Sequence, residues 1–193
     1  RASEVARRLG RTAVADSCRA QHLHLRQLGH EDEESRTLAR RLRAGVESAP
    51  DEAIAHARLG GFYLFHDYLP ESLALFERAT ELDGSARLRN EIAGLLGKKG
   101  HAEEALAYYR RCLDVDPEFT AALVNAGNLL SSLGRASEAL PLLERAVTLL
   151  PDNAKVHFFL GLTHRGLGDV GKARASLERA LELSGDADEG FRE

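Results

Sequence analysis

The sequence predicts an all-α protein, a right-handed α-solenoid of stacked antiparallel helix pairs. Three observations predict it: a composition weighted to helix formers, an internal period of 34 residues, and apolar residues spaced three and four apart within each period. Leu and Ala supply 32 and 29 of the 193 residues, against 8 Val, 2 Ile and 6 Thr. Ala and Leu favour helix, whereas residues branched at Cβ crowd the preceding helical turn and favour strands.

The period is read by aligning the chain with itself. Segments 86–119, 120–153 and 154–187 are each 34 residues long, and 53–85 aligns with one residue missing at its end. Leu59, Ile92, Ala126 and Leu160 are each followed by a small residue, Gly60, Ala93, Gly127 or Gly161. Tyr63, Leu96, Leu130 and His164 come next, then a turn at Asp67, Gly100, Gly134 and Gly168. The second half of each segment places Ser72, Ala105, Ala139 or Ala173 before Phe76, Tyr109, Leu143 or Leu177, and then Ala79, Cys112, Ala146 or Ala180. It stops at Gly84, Pro117, Pro151 or Gly185.

Each half carries its apolar residues on one helical face. Small residues belong where two helices cross closely, and large ones fill the space beside them. Glycine in the turn tolerates a left-handed backbone, and Pro after the second helix cannot continue it. One such pair cannot bury its own face, so neighbouring pairs must stack.

The 34-residue period with its Leu-Gly, Tyr, Ala, Phe, Ala and Pro places resembles the tetratricopeptide repeat family. The resemblance spans 53–187, and four copies in register carry it although each lacks the family's first Trp. It implies a superhelix whose first helices line a concave groove and whose second helices form the outer wall.

The flanks fit the pattern less closely. Residues 1–52 read as a divergent unit, with Ser35 to Ser48 as its second helix, Leu38 and Leu42 at apolar places and Pro50 as terminator. Its first helix is expected within Val14 to Leu28, where Arg26 takes the small-residue place, and Ser3 to Leu9 reads as a further short helix capped by Ser3. Residues 188–193 form an acidic tail. With Arg1 first and no Met, the native N-terminus is expected to be missing or processed. Repeat arrays normally end on a polar capping helix, so the last pair is expected to expose its stacking face or to be covered by further chain or another molecule.

Composition excludes several function classes. With 26 basic and 30 acidic side chains, net charge −4, the chain lacks the basic footprint of a nucleic-acid binder. No apolar run approaches the roughly 18 residues of a membrane span. The compartment stays open, a soluble cytoplasmic setting being favoured over the periplasm. No cofactor motif appears: phosphate loop, dinucleotide fingerprint and Gly-x-Ser-x-Gly are all absent. The eight His contain no His-Glu-x-x-His, and His22 and His24 point to different faces of a helix. His157 and His164 share a face, but packing histidines explain them better than a metal. Cys112 replaces a packing Ala and reads as an inert buried thiol, and Cys18 has no patterned base beside it. No catalytic or metal site is expected.

What remains is a surface. Resemblance to the family assigns groove positions to Arg87 and Asn90, then Asn125 and Asn128, then Lys155, Phe158 and Arg165. Amides can bond an extended peptide backbone in both directions, cations can hold carboxylates, and Phe158 offers apolar anchorage. The bland reading is a set of solvated positions with one Phe packed inward, but Asn is a poor helix former and its presence in mid-helix asks for a reason. A chaperone-type carboxylate clamp does not carry over. Its five places hold Asn90, Gly94, Asn125, Lys155 and Phe159, of which only Asn125 and Lys155 match. An inner ladder of Asn fares no better, with Asn125 alone in place.

The expected function is therefore a non-catalytic scaffold or adaptor that binds a peptide or helix of another protein in its groove. Two alternatives stand beside it. The chain could be the targeting or oligomerising arm of a larger glycosyl-, sulfo- or hydroxylation-type enzyme, or a homo-oligomeric scaffold assembling through its end faces.

Overall fold

The computed structural model describes residues 33–189, and the helices expected over 3–9 and 14–28 lie outside them. The fold is an all-α repeat. Among the described residues the elements are α1 (Glu33–Ser48), α2 (Ala53–Phe65), α3 (Leu69–Leu82), α4 (Ala86–Lys98), α5 (Ala102–Val115), α6 (Thr120–Ser132), α7 (Ala136–Leu149), α8 (Ala154–Gly166) and α9 (Val170–Glu189). First helices α2, α4, α6 and α8 are each 13 residues long, and second helices α3, α5 and α7 are each 14. Contacts divide the chain into two compact units, 1–83 and 84–193.

The turn inside each pair is one motif used four times. Asp67, Gly100, Gly134 and Gly168 have φ of 65°, 88°, 75° and 80°. The left-handed residue lets the following N–H reach back to the helix: His101 to Leu96 O at 3.0 Å, Arg135 to Leu130 O at 2.9 Å and Asp169 to His164 O at 3.0 Å. Carbonyls that the helix end would leave open are thereby bonded.

In the first unit, α1 and α3 pack on α2. Ala39 and Val46 of α1 are buried with Leu59, Phe62, Tyr63 and Leu75, and Leu42 lies partly buried against them. The helix begins two residues before Ser35, and its inward stripe is 39, 42 and 46. Leu38, expected at an apolar place, is 41% exposed, because it stands one residue, about 100° of helix rotation, off that stripe. Arg43 ties α1 to α2 by donating to the Tyr63 hydroxyl from Nη2 at 2.8 Å.

In the second unit α4 pairs with α5, α6 with α7 and α8 with α9, and successive pairs meet through α5 and α6, then α7 and α8. Each crossing depends on a small residue. An added Cβ at Gly127 would stand 2.6 Å from Leu143 Cγ, and one at Gly161 2.7 Å from Leu177 Cγ. In the first unit Gly60 would meet the Phe76 ring at 2.8 Å. The next junction fills with Leu123, Val124, Ala146 and Val156, over which Leu113, Val147 and Phe159 close.

On the second helices α3, α7 and α9 an arginine at one place of the period reaches the segment just before its own repeat. Arg78 reaches Asp51 at 3.6 Å and Glu81 at 3.1 Å, and Arg179 reaches Asp152 at 3.0 Å and Glu182 at 3.2 Å. Arg145, at the same place, donates to Pro117 O at 2.6 Å.

Two glycines test the crossing. Gly127→Ala gains about 1 kcal/mol of helix propensity but meets overpacking of about 1–3 kcal/mol, so a lower melting temperature is expected. Gly45 of α1 has nothing within 4 Å of an added Cβ. There Gly45→Ala is expected to stabilise by about 0.5–1 kcal/mol, and thermal melts of the two variants check both signs.

Candidate interaction surface

The sequence-derived positions on α4, α6 and α8 differ in how much freedom the fold leaves them. On α4, Arg87 is exposed and bonded to Glu91 at 3.0 Å, one helical turn on. Asn90 is half-buried, and its Oδ1 is shielded with no hydrogen-bond partner among the described residues. On α6, the Asn125 side chain reaches the Tyr109 hydroxyl of α5. Burial holds that hydroxyl's pKa above its ordinary value, and Asn125 partly offsets the effect. Asn128, half-buried, makes no side-chain hydrogen bond among the described residues.

On α8, Phe158 is 46% exposed, and its ring lies 5.8 Å from that of Phe159. Phe159 turns the other way and joins the junction with Val124 and Val156. Lys155 Nζ stands 5.6 Å from the Phe159 ring centroid, close enough for a cation–π attraction. Neither Lys155 nor Arg165 forms an ion pair among the described residues, and both are exposed. Other arginines of this unit do: Arg174 with Glu178 at 2.7 Å, and Arg135 with Glu138 at 2.6 Å and Glu103 at 2.8 Å. The Arg135 guanidinium holds the Glu138 carboxyl below the usual carboxylate range.

A polar link invisible in the repeat pattern joins α6 to α8. Thr163, fully buried, donates from Oγ1 to Phe159 O at 2.8 Å, so the 2.6 Å contact with Ser131 Oγ is made by the Ser131 proton. No motif marked either residue, because each hydroxyl finds its partner 32 residues away. Among the histidines, His56 and His157 occupy equivalent places and bond through Nε2 to Pro50 O at 2.9 Å and Pro151 O at 2.7 Å. Among the described residues, no three His, Cys, Asp or Glu side chains gather where they could hold a metal ion. No helix of the described residues is long and apolar enough to cross a membrane.

The family model for the tetratricopeptide repeat matches residues 90–154 and 124–188, together just over half of the chain. The chain belongs to the tetratricopeptide repeat family. No curated protein sequence matches it. Among solved structures, MamA superposes with a TM-score of 0.66 at 17% identity over 83% of this chain and 99% of that one. A MamA fragment from Desulfovibrio magneticus RS-1 gives a TM-score of 0.59 at 20% identity, covering 68% of this chain and 75% of that one. YrrB, described as a TPR protein with an unusual peptide-binding site, gives 0.63 at 22% identity over 79% of each chain. These likenesses establish the fold.

Cys112 sits at the α4–α5 crossing with no exposed surface. Burial, with Asp116 adding repulsion, pushes its thiol up to about 11. A thiol pKa higher in the folded than in the unfolded chain gives stability that is complete below the ordinary thiol value and is lost as pH rises through about 11. In a Cys18→Ser background, iodoacetamide at pH 8 is expected to leave Cys112 unmodified until denaturant unfolds the chain. Mass spectrometry checks this.

Proposed function

We propose that the chain is a non-catalytic interaction module that binds an acidic peptide segment of another protein along the first helices α4, α6 and α8. One observation carries the reading: Lys155 and Arg165 are exposed cations without an ion pair among the described residues, on the helix that also exposes the Phe158 ring. Lys155, Phe158 and Arg165 are three and seven residues apart, which places them along one side of α8. A ligand with a large apolar side chain beside carboxylates meets all three, its apolar group leaving water at Phe158 and its charges paired at either end. Asn128 has both of its amide functions available to a peptide backbone. The peptide-binding site named for YrrB, a protein of the same fold, supports the same reading.

Panning a displayed peptide library on the protein tests it. Recovered peptides are expected to carry Asp or Glu beside a large apolar residue, to bind more weakly as salt rises, and to lose about tenfold or more in affinity to the Lys155→Glu/Arg165→Glu variant. Peptides without acidic bias, or with undiminished affinity for the variant, overturn the reading.

A further inference from the structure

α4 keeps a glycine that its packing does not require. Gly94 lies inside the helix, and its φ is not in the left-handed region. Among the described residues an added Cβ there would meet only the Tyr109 hydroxyl oxygen, at 3.9 Å, an ordinary van der Waals distance. Gly60, Gly127 and Gly161, by contrast, have no room for a methyl group. Glycine in a helix interior is less favourable than alanine, because more backbone freedom is lost on folding. Neither packing nor backbone conformation gives Gly94 a reason, whereas close approach of another chain from the groove side does.

The surroundings of Gly94 are polar. At the place of Tyr109 the other three repeats have Phe76, Leu143 and Leu177, so this crossing alone carries a hydroxyl. The Asn125 amide of neighbouring α6 offsets the effect of burial on that hydroxyl, as an N–H donated to the phenol oxygen does. The phenol proton is then left to donate, and it has no acceptor among the described residues. Asn90, one turn before Gly94 on the same face of α4, has an amide oxygen with no hydrogen-bond partner among the described residues. An unmet donor and an unmet acceptor thus flank a stretch of helix bare of side chain. A peptide group, with one C=O and one N–H, is the complement of that arrangement. A carboxylate is not, because it lacks the N–H that the Asn90 oxygen needs.

Resting on the reading of these helices as a peptide site, we infer that Gly94 marks a second contact for the ligand. One of its peptide groups lies against α4 over Gly94, its carbonyl accepting from the Tyr109 hydroxyl and its N–H donating to Asn90 as that half-buried side chain turns outward. α6 lies between α4 and α8, so the contact stands two helix spacings, about 16–20 Å, from the cations of α8. A ligand that reaches both is extended and about six residues long or more.

Peptides recovered by panning are measured against three variants. Gly94→Ala is expected to melt a few degrees higher than the wild type yet to bind about tenfold more weakly. Gly94→Leu is expected to abolish measurable binding with an unchanged helical circular dichroism spectrum. Tyr109→Phe keeps the buried ring and is expected to lose about threefold to tenfold. Wild-type affinity of Gly94→Ala or of Tyr109→Phe overturns the inference, and the acidic-peptide reading survives that result where Lys155→Glu/Arg165→Glu still weakens the same peptides. Loss with the Gly94 and Tyr109 variants but not with Lys155→Glu/Arg165→Glu supports this contact and overturns the acidic-peptide reading. Recovery of no peptide overturns both.

Discussion

The close crossing of the two helices in a pair is the constraint on which everything else rests. At Gly60, Gly127 and Gly161 there is no room for even a methyl group against Phe76, Leu143 and Leu177. That contact fixes how near the helices come, and so where the turn must reverse the chain. The left-handed residue at positions 67, 100, 134 and 168 follows from it, because a reversal this tight cannot be closed with right-handed backbone alone. The pair containing α4 and α5 meets the same demand with Ala93 and Tyr109, both buried.

Junctions between successive pairs obey a looser rule. They need apolar volume and satisfied polar groups, but no particular residue, so each one is built differently. The junction before α8 combines Val147 and Phe159 with the Ser131–Thr163 hydrogen bond. The braces from Arg78, Arg145 and Arg179 end on a carboxylate in two cases and on a backbone carbonyl in the third. Where the connection shortens to Asp83–Ser85, one residue less than Asp116–Phe119, the chain divides into its two units.

The same freedom explains why the interaction surface is uneven. A side chain that faces outward from a first helix is claimed by whatever neighbour happens to reach it. Tyr109 takes Asn125, Glu91 takes Arg87, and the packing around α4 shields the Asn90 carbonyl. Lys155 and Arg165 form no ion pair among the described residues, and Lys155 and Phe158 border only the Phe159 ring while keeping much of their own surface exposed.

By itself the sequence determined the helix pairs, their turns and the crossing residues, because these are local demands repeated every 34 residues and each copy corroborates the others. It also marked Cys112 as a packing residue, since its place in the period is otherwise Ala. Tertiary structure decided which face of α1 turns inward, moving the stripe from Leu38 to Ala39 and Val46. It alone brought Thr163 to Ser131 and Arg135 to Glu103, and separated the engaged amide of Asn125 from the unengaged one of Asn128. Those outcomes depend on which residue of a neighbouring repeat arrives at contact distance, and a single period carries no record of that.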